Sequence, residues 1–553
     1  MSSLLFLSFL LKTSAVIGAK LAAPTIELDS GTFTGTVGSA RTQSFLGIPF
    51  AQPPVEDLRF RLPVANTPYN GSHDATAFGL ACPQQAFTLP ILTGIPEEVV
   101  DNILNSIFAT LIPASEDCLF LNVVKPATAT AASKLPVVLK QFIYGSGFEI
   151  GSPSLYDGAT IVERSLAIGN PRLGSWPVKK YARPELAIWV FRIVRDITLT
   201  HTYLLTRVKL LEREAMRWVQ RYISNFGGDP SKVTIWGESA GAISVAMHML
   251  ANDGDTEGLF RAAFMQSGSP IPVGPLENGQ MFYDQIVQQV GCAGSADTLE
   301  CLRTVPFDSL KAAQDATPFI FSFESLRLTW LPRADGTFVS DNPQRLVQQG
   351  KVANIPFISG DCDDEGTLFS FSSTNLTTEA DFLAYIKTVW VPGISTAQLN
   401  TLAEFYPSNI LDGSPFDTAI FNALTPQFKR IAALQGDAVF QAPRRFFQQS
   451  QSGKQNQWGF LSKREKALPF LGSFHGSDLL NIFGDGSLTD FLVNFATTLD
   501  PNGRTVPHWP AYTTATPNLM TLLDGLFPTV ITQDTFRASA IQFLTNLTLE
   551  FPV

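Results

Sequence analysis

The sequence predicts an α/β protein with one large, mostly parallel central sheet and helices on both faces. Three observations carry that reading. Short apolar runs at "LFLNVVKP", "LPVVL", "KVTIWG", "AAFMQSG" and "NIPFISGD" look like buried strands, and helical stretches separate several of them. One of these runs leads directly into Gly237-Glu238-Ser239-Ala240-Gly241 and an apolar helical stretch. Finally, the 553 residues, 45% apolar and 16% charged, supply a large core, and no repeat or Pro/Gly/Ser-rich linker divides them.

The chain opens with a short apolar core, Leu4 to Leu11, followed by small residues at Gly18, Ala19, Ala22 and Ala23. That is the shape of a secretory signal peptide, so residues 1–22 are expected to be removed and 23–553 to form a single domain. No later run has the roughly 20 apolar residues of a membrane helix. Export agrees with acceptor sequons at Asn70, Asn375 and Asn546. Five cysteines allow two disulfides and one free thiol, and spacing alone leaves their pairing open. A net charge of -10 argues against nucleic-acid binding, which needs a basic face.

After the leader, "TIELDSGTFTGTVGSARTQSFLGIPFA" alternates apolar with polar or small residues, as an antiparallel hairpin at a sheet edge would. Further on, "IYGSGFEIGS" (Ile143 to Ser152) follows a strand candidate and places three glycines within seven residues. Such a loop gathers backbone amides around an anion. It lacks the Lys-Ser/Thr of a phosphate loop, and no metal cluster or dinucleotide fingerprint is visible, so no cofactor is expected.

The most informative stretch is "KVTIWGESAGAISVAMHML". Gly237 to Gly241 is G-x-S-x-G between a strand and a helix, where the turn is so tight that only small residues fit beside the serine. Ser239 is then held clear of the sheet at a helix N-terminus. A serine hydroxyl needs a base to take its proton, and on this architecture the partners follow in the order serine, acid, histidine. His73 and His201 precede the serine and His248 rides on the following helix, which leaves His475 and His508. The glycine-rich setting "LGSFHGSD" favours His475 over His508 in "VPHWPAY". Between serine and histidine, "GDCDDEGT" offers Asp361, Asp363, Asp364 and Glu365, and spacing does not choose among them.

Four motifs in order, "EDCLFLNV", "GESAGAISV", "DEGT" and "FHGSD", resemble the type-B carboxylesterase and lipase family, secreted fungal lipases in particular. The resemblance implies an α/β-hydrolase fold and ester hydrolysis, with Ser239 as nucleophile, Glu365 as acid and His475 as base. It pairs Cys82 with Cys118 and Cys292 with Cys301, leaving Cys362 free. It also gives the glycine loop a role: backbone N–H groups of Ser146, Gly147 and Ala240 would form an oxyanion hole. The family usually has three consecutive glycines where this chain reads Gly145-Ser146-Gly147, and Lys140-Gln141 interrupts a strand that should be apolar.

Between Cys82 and Cys118, the residues Val99, Val100, Ile103, Leu104, Ile107, Phe108 and Leu111 recur at helical spacing. On a disulfide-closed loop (82–118) such a stripe resembles the lipase lid, which would make transient contact with a lipid surface. "FIFSF" (Phe319 to Phe323) is expected to line an acyl-binding tunnel. One segment departs from the family: from 171 to 213 the expected strand and loop are replaced by unrelated sequence. That abrupt loss and return looks like a mis-spliced or mispredicted gene, whose product would be inactive. In the alternative, Leu186 to Phe191 serves as the missing strand. Beside a lipase, the alternatives are a broad carboxylesterase and a non-catalytic interaction protein, which would normally lack one of the three site residues.

Overall fold

The computed structural model describes residues 22–39, 41–86, 113–142, 147–149, 151, 158–169, 188–193, 204–484 and 486–553. The leader, the stripe Val99 to Leu111, Ser146 and most of 171–213 lie outside the described residues.

Among these residues the strands are β1 (Thr25–Leu28), β2 (Ser30–Thr34), β3 (Thr36–Ser39), β4 (Thr42–Pro49), β5 (Asn70–Asp74), β6 (Phe120–Pro126) and β7 (Leu135–Phe142). They continue with β8 (Ile188–Ile193), β9 (Gly228–Glu238), β10 (Ala262–Gln266), β11 (Phe357–Cys362), β12 (Gln457–Ser462), β13 (Asn518–Leu522) and β14 (Thr529–Gln533). An 11-stranded sheet runs β14-β13-β12-β11-β10-β9-β7-β8-β6-β4-β3. Its middle, from β8 to β13, is parallel throughout, and the pairs at both edges are antiparallel. This is the expected α/β-hydrolase architecture.

The central strands read as continuous apolar runs because both faces of the sheet are covered. Val137 and Leu139 of β7 join one core cluster while Val138 points into another, and β9 divides Val233 and Ile235 from Trp236 in the same way. Full burial of each such side chain contributes about 1.5–3 kcal/mol. The helix Ala240–Leu250 is buried on every side, as its unbroken apolar sequence requires.

Two local expectations change. The N-terminal alternating stretch forms two antiparallel pairs instead of one hairpin. β1 and β2 belong to a separate 3-stranded sheet with β5, while β3 and β4 close the edge of the main sheet. Gly35 makes the crossing possible, since a Cβ there would sit 2.4 Å from the Ser44 carbonyl oxygen. Within the segment unlike the family, Ile188–Ile193 forms a full central strand. It ladders in parallel to β7 from Val137↔Ile188 to Phe142↔Ile193, and antiparallel to β6. Its bounds are shifted two residues past Leu186 to Phe191.

Disulfides join Cys82 to Cys118 and Cys292 to Cys301, and Cys362 is free and buried. Asn70, Asn375 and Asn546 are all exposed. No helix among the described residues is long and apolar enough to cross a membrane.

Candidate active site

β9 ends at Glu238, and Ser239 turns the chain into the helix Ala240–Leu250 with φ 55° and ψ -127°. This is a conformation that L-residues avoid, so the surrounding structure must impose it. It does so by crowding: a Cβ on Gly237 would lie 2.2 Å from the carbonyl carbon of Gly241, and one on Gly268 would lie 2.6 Å from the Ser239 carbonyl oxygen. The Ser239 N–H donates to the Gln266 carbonyl at 2.8 Å, which fixes the turn to the end of β10.

Across the sheet, the loop after β12 brings His475 to the serine, with Nε2 2.8 Å from Ser239 Oγ. The other ring nitrogen, Nδ1, lies 2.5 Å from Glu365 Oε2. Ser239, His475 and Glu365 are all buried, and each sits beyond the carboxyl end of a parallel strand. A short bridge between Asp364 and Phe474 ties the acid loop to the histidine loop. His508 is exposed, and His248 is buried against Glu212.

The structure also separates the four carboxylates that spacing left open. Asp361 pairs with Arg444 at 2.8 Å. Asp363 pairs with Lys466. Asp364 accepts from Lys466, from Ser414 Oγ at 3.0 Å and from the N–H groups of Phe416 at 2.7 Å and Ser473 at 2.8 Å. Only Glu365 reaches the histidine. Its Oε1 accepts from the Cys362 N–H at 2.6 Å and its carboxylate from the Ser267 hydroxyl. Burial pushes Glu365 up, and those two donors oppose the shift by favouring its anion. Burial pulls His475 below the usual imidazole value, so the ring is neutral and able to accept a proton near pH 7.

Sequence reasoning missed a second ring of charge beneath this chain. Glu238 Oε1 lies 3.5 Å from His475 Nε2, and burial pushes Glu238 up to about 7. Asp478 accepts from Gln266 Nε2 at 2.7 Å. Lys140 is fully buried, its Nζ 4.3 Å from the ring centroids of Trp236 and Phe483; burial pulls it well below the usual lysine value, and the nearby Glu238 and Asp478 oppose that shift. The polar residue that interrupts β7 is therefore seated against two aromatic faces. The signal in the sequence that pointed here was Lys140 in a strand that should be apolar.

The glycine loop reaches the site at Gly147, which has φ 68°. Its neighbour Glu149 takes the Ile320 N–H at 2.8 Å on its side chain and the Gln85 N–H at 3.0 Å on its carbonyl, anchoring the loop on two sides. Ala240 supplies the first amide of its helix, a position with no intrahelical acceptor. A narrow cavity of about 60 Å³ starts at Gly147, Ser239 and Ala240 and runs inward between aliphatic and aromatic side chains, among them Ile243, Leu434 and Phe440. From Phe319 to Phe323 only Ile320 lines it. Phe321 instead stacks on Phe369, whose ring centroid is 5.1 Å from that of His475. The described residues hold no cluster fit for a metal ion.

Such a chain can move a proton from a hydroxyl to an imidazole and hold the resulting cation against a carboxylate. The carboxylesterase family matches this chain over residues 22–175 and 212–543, breaking off across the segment that departs from the family. Lipase 2 of Diutina rugosa is 41% identical over 96% of this chain and 97% of its own length. Secreted lipase 1 of Botryotinia fuckeliana is 36% identical over 96% of this chain and 94% of its own. The crystal structure of Aspergillus niger EstA superposes with a TM-score of 0.77 at 26% identity, covering 96% of this chain and 99% of that one.

Proposed function

This chain belongs to the carboxylesterase family, and we propose that within it the protein is a secreted lipase acting on acylglycerols and other long-chain esters through an acyl-enzyme. It is a carboxylic ester hydrolase; the finer reading rests on the apolar lining of the cavity that begins at Ser239.

In this reading Ser239 Oγ attacks the ester carbonyl while His475 Nε2 takes its proton, and Glu365 orients the imidazole and stabilises its cationic form. The amides of Gly147 and Ala240, with Ser146, receive the oxyanion. His475 then returns the proton to the departing alcohol, and water repeats the sequence on the acyl-enzyme. The acyl chain lies in the cavity. Residues 1–22 act as signal peptide, 23–553 as one domain, and the 82–118 loop as a lid that opens at a lipid surface.

The test compares p-nitrophenyl esters of graded chain length with emulsified triacylglycerol. A lipase prefers medium or long chains and gains activity when the substrate passes its solubility limit. Faster turnover of short soluble esters, without a rise at the interface, would leave a plain carboxylesterase. A serine-directed organophosphate separates both from a non-catalytic relative, because only an activated Ser239 is labelled.

A further inference from the structure

The inner cavity is bounded at its far end by residues that also line a second space. A second, wider cavity of about 580 Å³ opens to the surface beside the C-terminal residues, and the two share Arg327, Leu328, Trp390, Val391, Phe551 and Val553 as a common boundary. Arg327 therefore faces both spaces. Arg333 lines the outer one, where its Nη1 donates to a carboxyl oxygen of Val553, the last residue, at 3.2 Å. Glu324 and Glu550 also border the outer space, but each is engaged elsewhere, Glu324 by Ser322 Oγ at 2.7 Å and Glu550 by Gln398 Nε2 at 2.9 Å. Burial pulls both guanidiniums down to about 10, Arg333 further through its like-charged neighbour Arg327.

We infer that this distal end is a binding site for the carboxylate of a free long-chain fatty acid, held by Arg327 and Arg333, with its alkyl tail directed up the inner cavity toward Ser239. Two partly desolvated cations beside an apolar channel match an amphiphile whose anion accepts from planar guanidinium forks. Direction follows from cost. An anion entering past Ser239 would have to cross the apolar lining without partners, whereas a fatty acid arriving tail-first through the outer cavity keeps its head at the wet end. Once seated, its tail occupies the space proposed above for the substrate's acyl chain. The inference rests on that assignment, and adds that the long-chain product restrains further hydrolysis from the rear of the channel.

The experiment fills the reacting centre first. Ser239 is phosphonylated with either a methyl- or a hexadecylphosphonate, so that head-first product binding is blocked in both and the channel is left free only in the first. Labelling tests the hydrolase assignment by itself, independently of fatty-acid binding. Laurate and dodecanol are then titrated calorimetrically at pH 8. Laurate should bind the methylphosphonyl protein, at least about tenfold more tightly than dodecanol, and should not bind the hexadecyl form. Arg333→Leu should weaken laurate by about tenfold and leave dodecanol unchanged, which also shows that the channel is intact. Laurate binding no tighter than dodecanol, or surviving in the hexadecyl form, would overturn the inference.

Discussion

Glu238 Oε1 lies 3.5 Å from His475 Nε2, the same nitrogen that meets Ser239 Oγ at 2.8 Å. The residue before the nucleophile thus acts on the base. Burial lowers His475, and the Glu238 charge is the largest influence raising it again. Glu238→Gln removes that support, so the imidazole stays neutral to lower pH. Since the neutral ring accepts the serine proton, the acid limb of kcat/KM should move down, though only modestly, because Glu238, pushed up to about 7, is itself partly protonated where the ring titrates. A limb that stays in place or moves up would show that the two groups do not couple.

The hydrogen-bonded chain itself is tested by Ser239→Ala, His475→Gln and Glu365→Gln. Losing the serine or the histidine should lower kcat by about 10⁶-fold, whereas Glu365→Gln should cost less, about 10⁴-fold, since the amide keeps the geometry but favours the wrong tautomer and no longer stabilises the imidazolium. Combining the changes should add little, since the three act as a unit. Near-additive losses in kcat would mean that they work separately.

Gly147 has φ 68° at the start of the cavity, and a Cβ there would lie 2.9 Å from Ile320 Cδ1 and 3.1 Å from Leu328 Cδ1. Those side-chain ends can shift, so the backbone conformation decides the outcome, at a cost of about 1–2 kcal/mol. Gly147→Ala should reduce kcat by about 10²-fold through a displaced amide while the protein still folds. Ser146→Gly, which restores a run of three glycines, should leave kcat equal or raised. A clear fall there would remove the loop from the oxyanion hole.

Stability rests partly on a buried charge network around Asp534. Asp534 accepts from Arg444 at 2.9 and 3.1 Å, from Arg445 at 2.6 and 2.9 Å and from Tyr512 at 3.1 Å. Burial alone would raise its pKa, but Arg444 and Arg445 hold it well below the usual 3.8. A depressed folded value means stability that is present above pH 3.8 and lost as pH falls toward the folded value. Asp534→Asn should cost about 3–5 kcal/mol at pH 7 in urea denaturation and flatten the decline below about pH 4. Equal stability at pH 7 would mean the arginines find other partners.

Ser239 was legible because its signal is local: strand, tight turn and helix are contiguous in the chain. His475 followed from chain order. The acid was not separable, because Asp361, Asp363, Asp364 and Glu365 crowd one turn and only distant Arg444, Lys466 and His475 tell them apart. The same holds for the buried charges: Lys140, Glu238, Gln266 and Asp478 come from four separate segments, and sequence alone shows only a polar residue in an apolar strand. Ile320 lines the cavity while neighbouring Phe321 does not, since which residue of such a segment faces inward depends on packing that apolar periodicity does not encode.

Glu365 and His475 are 110 positions apart, and His475 follows Ser239 by 236. The nucleophile is thus synthesised long before its base, and the strand at the far side of the histidine loop, β13, comes later still. During translation the nascent chain carries an exposed elbow with no means of taking a proton from it. Esterolytic power arises only when nearly the whole polypeptide has been made and the last parallel strands have docked. A product truncated anywhere before residue 475 would be inert toward the membranes of the cell that makes it.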